Sequence, residues 1–113
     1  MHEYSVVQAM MDRIEQEVAA HGAVAVHRVR LRIGEVSGIE ADLLTSAFEI
    51  VRVGTTCAGA TLDITRVPAQ WVCPVCQVPV GAGEILQCGA CQAPARLVAG
   101  DEILLDQLEM EVP

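Results

Sequence analysis

Two short cysteine pairs constrain this chain more than any other feature. Cys73 and Cys76 form one C-x-x-C spacing, Cys88 and Cys91 form another, and eleven residues separate Cys76 from Cys88. A two-residue gap lets a tight turn aim both sulfurs at one point. Two such pairs therefore offer four soft thiolates to one tetrahedral ion. Pro74 is expected to preset the first turn, and Gly89 to free the backbone in the second. The stretch around them, residues 70–99, is rich in Cys, Pro, Gly and Gln. About thirty residues cannot bury enough apolar surface to fold alone, so something else must hold them. Zinc is the expected ion: four thiolates fill its shell, leave no position for a substrate, and make the site structural. Two other uses stay open. A single iron in the same shell would make a rubredoxin-like electron carrier. Cys73 and Cys76 alone would make a redox dithiol, although that motif does not need a second pair and normally opens a helix. Cys57 stands apart and reads as a buried small hydrophobe.

The rest of the chain carries ordinary periodicities. Residues 4–21 predict a helix, with Val7, Met10, Met11, Ile14 and Val18 on one face and Gly22 at the stop position. Residues 24–33 predict a strand in which Val29, Leu31 and Ile33 alternate with Arg28, Arg30 and Arg32. The first expectation for that arginine face is a solvated sheet surface answered by carboxylates on neighbouring strands; a docking patch for an acidic partner is the second. Residues 39–53 predict a second helix, with Leu44, Ala47, Phe48 and Val51 sharing a face and Gly54 as its stop. Ser37 and Glu40 have capping-box spacing. Residues 60–67 predict a second strand. Residues 102–110 predict a third, with a helix as the alternative. No internal repeat and no low-complexity segment is expected. The sum is an α+β fold: a small three-stranded sheet with two helices, interrupted by a four-cysteine, zinc-ribbon-like insertion.

Composition excludes several classes. The chain has 113 residues, 52% of them hydrophobic but only 3% aromatic, so its core must be aliphatic. It has no lysine and a formal charge of −8. Phosphate backbones repel such a chain, so nucleic acid is not an expected partner. There is no basic and apolar leader pattern at the start, and no apolar run long enough to span a bilayer. The expected location is the cytoplasm, where thiols stay reduced and bind metal rather than form disulfides.

One of the three histidines, His2, follows the first methionine directly. A free α-amine on Met1, the His2 amide nitrogen and the His2 imidazole Nδ1 would close two fused chelate rings. The Glu3 amide or carboxylate would complete a plane. Planar nitrogen-rich coordination suits Ni(II) or Cu(II) better than zinc.

A start of this kind followed by two C-x-x-C pairs resembles the HypA/HybF family of nickel metallochaperones in [NiFe]-hydrogenase maturation. The resemblance runs the length of the chain: "MHEYSVV" at 1–7, "IGEVSGI" at 33–39, "SAFE" at 46–49, and the two cysteine pairs in order. It implies a protein that is not an enzyme. It implies nickel as cargo on Met1, His2 and Glu3, with Glu40 standing near that site, and structural zinc on Cys73, Cys76, Cys88 and Cys91. It implies a nickel domain over residues 1–69 and 100–113, a zinc domain over 70–99, and a last strand that returns to the first sheet. The implied partners are the GTPase HypB and the hydrogenase large subunit, with some relatives also serving urease. Monomer and homodimer both remain open. A zinc-ribbon adaptor indifferent to His2 is the alternative from another class.

Overall fold

A computed structural model describes residues 2–81 and 85–113. Helix α1 runs His2–His21, strand β1 Ala25–Gly34, helix α2 Ala41–Val51 and strand β2 Thr61–Val67. Three short strands follow: β3 Gln70–Val72, β4 Pro79–Val80 and β5 Arg96–Ala99. Strand β6, Ile103–Glu111, closes the chain. The strands form two separate sheets, ordered β2-β1-β6 and β4-β3-β5. Strands β1 and β2 are parallel, with α2 in the crossover between them, and β6 lies antiparallel on the other side of β1. The third strand is therefore a strand, and it does return to the first sheet.

The core sits between the helices and one face of this sheet. Val7, Met10, Met11, Ile14 and Val18 of α1 meet Val26, Val29, Leu31 and Ile33 of β1 and Leu44, Ala47 and Phe48 of α2, all of them buried. Cys57 is fully buried among them, as its reading as a small hydrophobe requires. Burial pushes its thiol pKa up, with the nearby Glu15 carboxylate acting the same way.

The first helix stops as expected, while α2 ends at Val51, two residues before the expected 53, with Arg52 as its C-cap and Gly54 in the turn that follows. Gly22 takes φ +64°. The Ala23 N–H then donates to the Val18 carbonyl at 3.0 Å and the Gly22 N–H to Ala19 at 3.4 Å, which is a Schellman closure. Gly54 takes φ +78°. The two helix starts differ from expectation. Helix α1 begins at His2 rather than residue 4, because first-turn N–H groups need no helical partner and Glu3 favours the positive end of the dipole. Helix α2 begins at Ala41, and no capping box forms. The Ser37 hydroxyl accepts the Ile39 N–H instead, at 3.2 Å. Glu40 becomes the N-cap residue without a side-chain cap bond.

The arginine face of β1 is solvated and answered by carboxylates. Arg28 pairs with Asp63 on β2 and with Glu109 on β6, the latter at 2.8 Å, and Arg30 lies within 4.0 Å of both acids.

The small sheet joins the large one through two short linkers, residues 68–69 and 100–102. They pack against the end of β1. The Gly34 N–H donates to the Glu102 carbonyl at 2.7 Å, and the Val36 N–H to the Gly100 carbonyl at 2.8 Å. There is no room for side chains here: a Cβ on Gly34 would stand 2.1 Å from the Gly100 oxygen. The radius of gyration is 18.0 Å, against roughly 13 Å for one compact body of this length. Residues 70–99 thus project as a knob. Among the described residues, no helix is long and apolar enough to cross a membrane.

Candidate metal centres

The four paired cysteines converge. Their sulfurs all lie within 4.8 Å of one another, and Cys73 Sγ is 3.4 Å from Cys91 Sγ. Tetrahedral zinc–thiolate bonds of ~2.3 Å would set sulfurs ~3.8 Å apart, so the cluster has the size of a single-ion shell. Its donors are all sulfur, which suits a soft or borderline ion.

Two copies of one turn build this cluster. Cys73, in the first, donates its N–H to the Val78 carbonyl at 3.0 Å and accepts from the Gln77 N–H at 2.9 Å. Cys88, in the second, donates to Ala93 at 2.9 Å and accepts from Gln92 at 2.8 Å. In both, the residue after the second cysteine is left-handed: Gln77 at φ 57° and Gln92 at φ 63°. This corrects two expectations. Gly89 is not the residue that takes the unusual backbone angle; the turn reverses one step after the pair, at a glutamine. The chain also does hold an internal repeat, C-P-V-C-Q-V-P at 73–79 and C-G-A-C-Q-A-P at 88–94. Its shared Gln and Pro were the available signal for Gln77 and Gln92, hidden because Val and Ala differ in size and the unit is only seven residues long.

Backbone N–H groups prepare the first cysteine of each pair to be a thiolate. The Cys76 N–H donates to Cys73 Sγ at 3.2 Å and lowers the Cys73 pKa. N–H groups of Cys91 and Ala90 lower Cys88 to about 6. Cys76 goes the other way, pushed up to about 12, chiefly through its hydrogen bond with the Cys91 sulfur. Cys73 and Cys88 are buried while Cys76 and Cys91 are exposed, so each turn offers one inner and one outer sulfur.

The chain start forms the second candidate centre. Met1 lies outside the described residues. His2 and Glu3 occupy the first turn of α1, where N–H groups have no intrahelical acceptor. Their amides can therefore serve other chemistry without breaking the helix ladder. His2 is exposed and Glu3 half-buried. The Glu3 carboxylate Oε2 accepts the Glu40 N–H at 3.3 Å, which brings the start of α2 beside the start of α1. Residue 40 is thus next to the chain start through its backbone, although 37 residues away in sequence. The other histidines have local tasks. His21 Nδ1 lies 2.9 Å from the Glu17 carbonyl, and His27 Nε2 lies 3.0 Å from the Glu111 carboxylate.

Comparison with known proteins gives a consistent answer. The family model described as "Hydrogenase/urease nickel incorporation, metallochaperone, hypA" matches residues 1–110. A hydrogenase maturation factor HypA from Nitrosospira multiformis is 38% identical over 114 aligned positions, covering 97% of both chains. The factor of the same name from Shewanella oneidensis is 40% identical over 113, covering 98% of this chain and 96% of its own. A solution structure of the Ni metallochaperone HypA from Helicobacter pylori superposes with a TM-score of 0.76 at 30% identity, covering 98% of each chain. A second HypA solution structure reaches 0.79 at 32%, covering all of this chain and 98% of the other.

Proposed function

The chain belongs to the HypA family, and on that footing we propose that it binds Ni(II) at Met1, His2 and Glu3 and hands it to the hydrogenase large subunit. It is a maturation factor, a binding and delivery protein rather than an enzyme. The observation that carries the nickel assignment is the placement of His2 and Glu3 in the first helical turn, where their amides have no intrahelical acceptor. The Met1 amine, the His2 amide and the His2 imidazole supply three nitrogens of a plane. The fourth donor comes from Glu3, either its amide or its carboxylate, whose Oε2 also receives the Glu40 N–H. Glu40 supports the site from beside it, through the bond its amide makes to Glu3.

Nickel held at a chain end can leave by stepwise detachment of its ligands. Losing an amide proton on binding makes affinity fall as pH falls. Zinc on Cys73, Cys76, Cys88 and Cys91 is structural. Bound there, it supplies the cross-link that residues 70–99 lack, while residues 1–69 and 100–113 form the nickel unit. The GTPase HypB is the partner that this reading assigns to the transfer, and the cytoplasm is its location.

A nickel titration of zinc-loaded protein with its authentic N-terminus tests this. We expect the weak visible absorption of planar Ni(II) with one ion per chain. His2→Ala should lose it while zinc content and melting temperature stay unchanged, because the side chain is exposed. Equal binding in both proteins would overturn the assignment.

A further inference from the structure

Two helices cover three strands, and the cover is incomplete. The core-face residues of the central strand, Val29, Leu31 and Ile33, are at most 3% exposed. Those of β6 are not: Ile103 is 39% exposed and Leu105, Leu108 and Met110 are only half-buried. Between α1 and β6 lies a groove. Its first part is a cavity of about 270 Å³, lined by Val6, Ala9 and Met10 from the helix and by Ile103 and Leu105 from the strand. It continues into a wider and more polar part of about 520 Å³ that takes in Arg13, Glu17 and Asp106.

One wall of this groove is an unpaired strand edge. Strand β6 is the last of its sheet, so alternate N–H and C=O groups face outward with no ladder partner. An apolar cleft running beside such an edge is the geometry in which an extended peptide adds as a strand: its backbone pairs with the edge, and alternate side chains enter the cleft. The charges define the peptide further. Arg13 is paired with Glu17 at 3.2 Å. Asp106 is the extra residue of a bulge between Leu105 and Gln107, and it is exposed without an ion pair or hydrogen bond among the described residues. A second copy of the chain is a poor occupant. Each copy carries −8, and the bulge interrupts the edge that two β6 strands would have to share.

We propose that the groove between α1 and β6 docks a short extended segment of a partner protein, added as a strand beside Ile103–Leu105, with alternate apolar side chains between the helix and the sheet and a basic residue set against Asp106. The groove opens where α1 begins and the linker 100–102 enters β6. Val6 is four residues beyond His2, or roughly 6 Å along the helix axis. A segment seated there would bring its protein to the proposed nickel ligands, yet the docking itself needs no metal.

A random linear peptide library displayed on phage, selected against the zinc-loaded full chain without nickel, is the probe. We expect enrichment of segments with apolar residues at alternate positions next to Lys or Arg. Synthetic versions should lose at least tenfold in affinity for Ala9→Arg, an exposed helix position that blocks the groove without touching the core, and for Ile103→Lys. Asp106→Lys should abolish the preference for a basic residue, and Leu43→Lys on α2 should bind as the parent does. N-methylation of alternate peptide amides should abolish binding. Enrichment without the pattern, binding indifferent to Ala9→Arg, or indifference to N-methylation would overturn the proposal. So would a dimer that sediments as a monomer once Ala9→Arg is made, because the groove would then belong to a second copy.

Discussion

Residues 70–99 hold one of the chain's fifteen acidic side chains and one of its seven arginines. All the rest of the charge sits on the body that the other residues form. The contrast extends inward. The body buries a continuous aliphatic core around Phe48, whereas the knob's fully buried residues are two cysteines, Cys73 and Cys88, among those described. Val75, Ile85 and Val98 stay exposed on the knob. The body is held by apolar area removed from water. The knob has too little area for that, and its four gathered sulfurs are placed to supply the missing cross-link through a shared ion, as proposed above. The difference teaches where each part is vulnerable: the body to lost volume, the knob to lost metal.

The largest expected effect therefore comes from the ion. Removing zinc with a strong chelator, or making Cys88→Ser, should unfold the knob outright, since structural zinc supplies on the order of 10–16 kcal/mol to such sites at neutral pH. Trp71, the single tryptophan and part of β3, reports it by a red-shifted emission. Helical circular dichroism should persist, because both helices belong to the body. Loss of the helical signal together with the zinc would break the comparison.

Next in size is the body's own failure. Phe48→Ala removes the largest fully buried side chain and should cost about 3–5 kcal/mol, read as a lower denaturant midpoint for the helical signal. Below the new midpoint the protein should still carry one zinc per chain. A variant that lost zinc and helix in one transition would show that knob and body fold as one unit.

Smallest is a change at the joint. Gly34→Ala sets a methyl group into the Gly100 carbonyl. Overpacking of that kind costs about 1–3 kcal/mol. The clash is between the added methyl at the end of β1 and backbone atoms of the linker at Gly100 and Asp101, away from both metal centres. Residual dipolar couplings should report a changed knob orientation, with zinc content nearly unchanged. Unaltered couplings would mean that the body accommodates the methyl group by itself.

Much of the local chemistry was legible in the sequence because it depends on residues close together in the chain. The cysteine pairs, the apolar face of α1, the alternation in β1 and the glycine stop at 22 all read correctly. The start of α2 did not, since Ser37 satisfied a nearer amide before it could cap the helix. Gly89 misled for a related reason: a glycine permits a left-handed turn without requiring one, and the glutamines carry it instead.

What the sequence alone determined is which residues can be metal donors and which faces must be buried. Donor chemistry and amphipathic period are properties of side chains and their spacing. Only the tertiary structure decided that Glu40 stands beside Glu3, that Arg28 reaches acids on two other strands, and that β6 ends the sheet with an open edge beside α1. Those relations join residues far apart in the chain. Strand order and helix placement bring them together, and the periodicity of no single segment contains either.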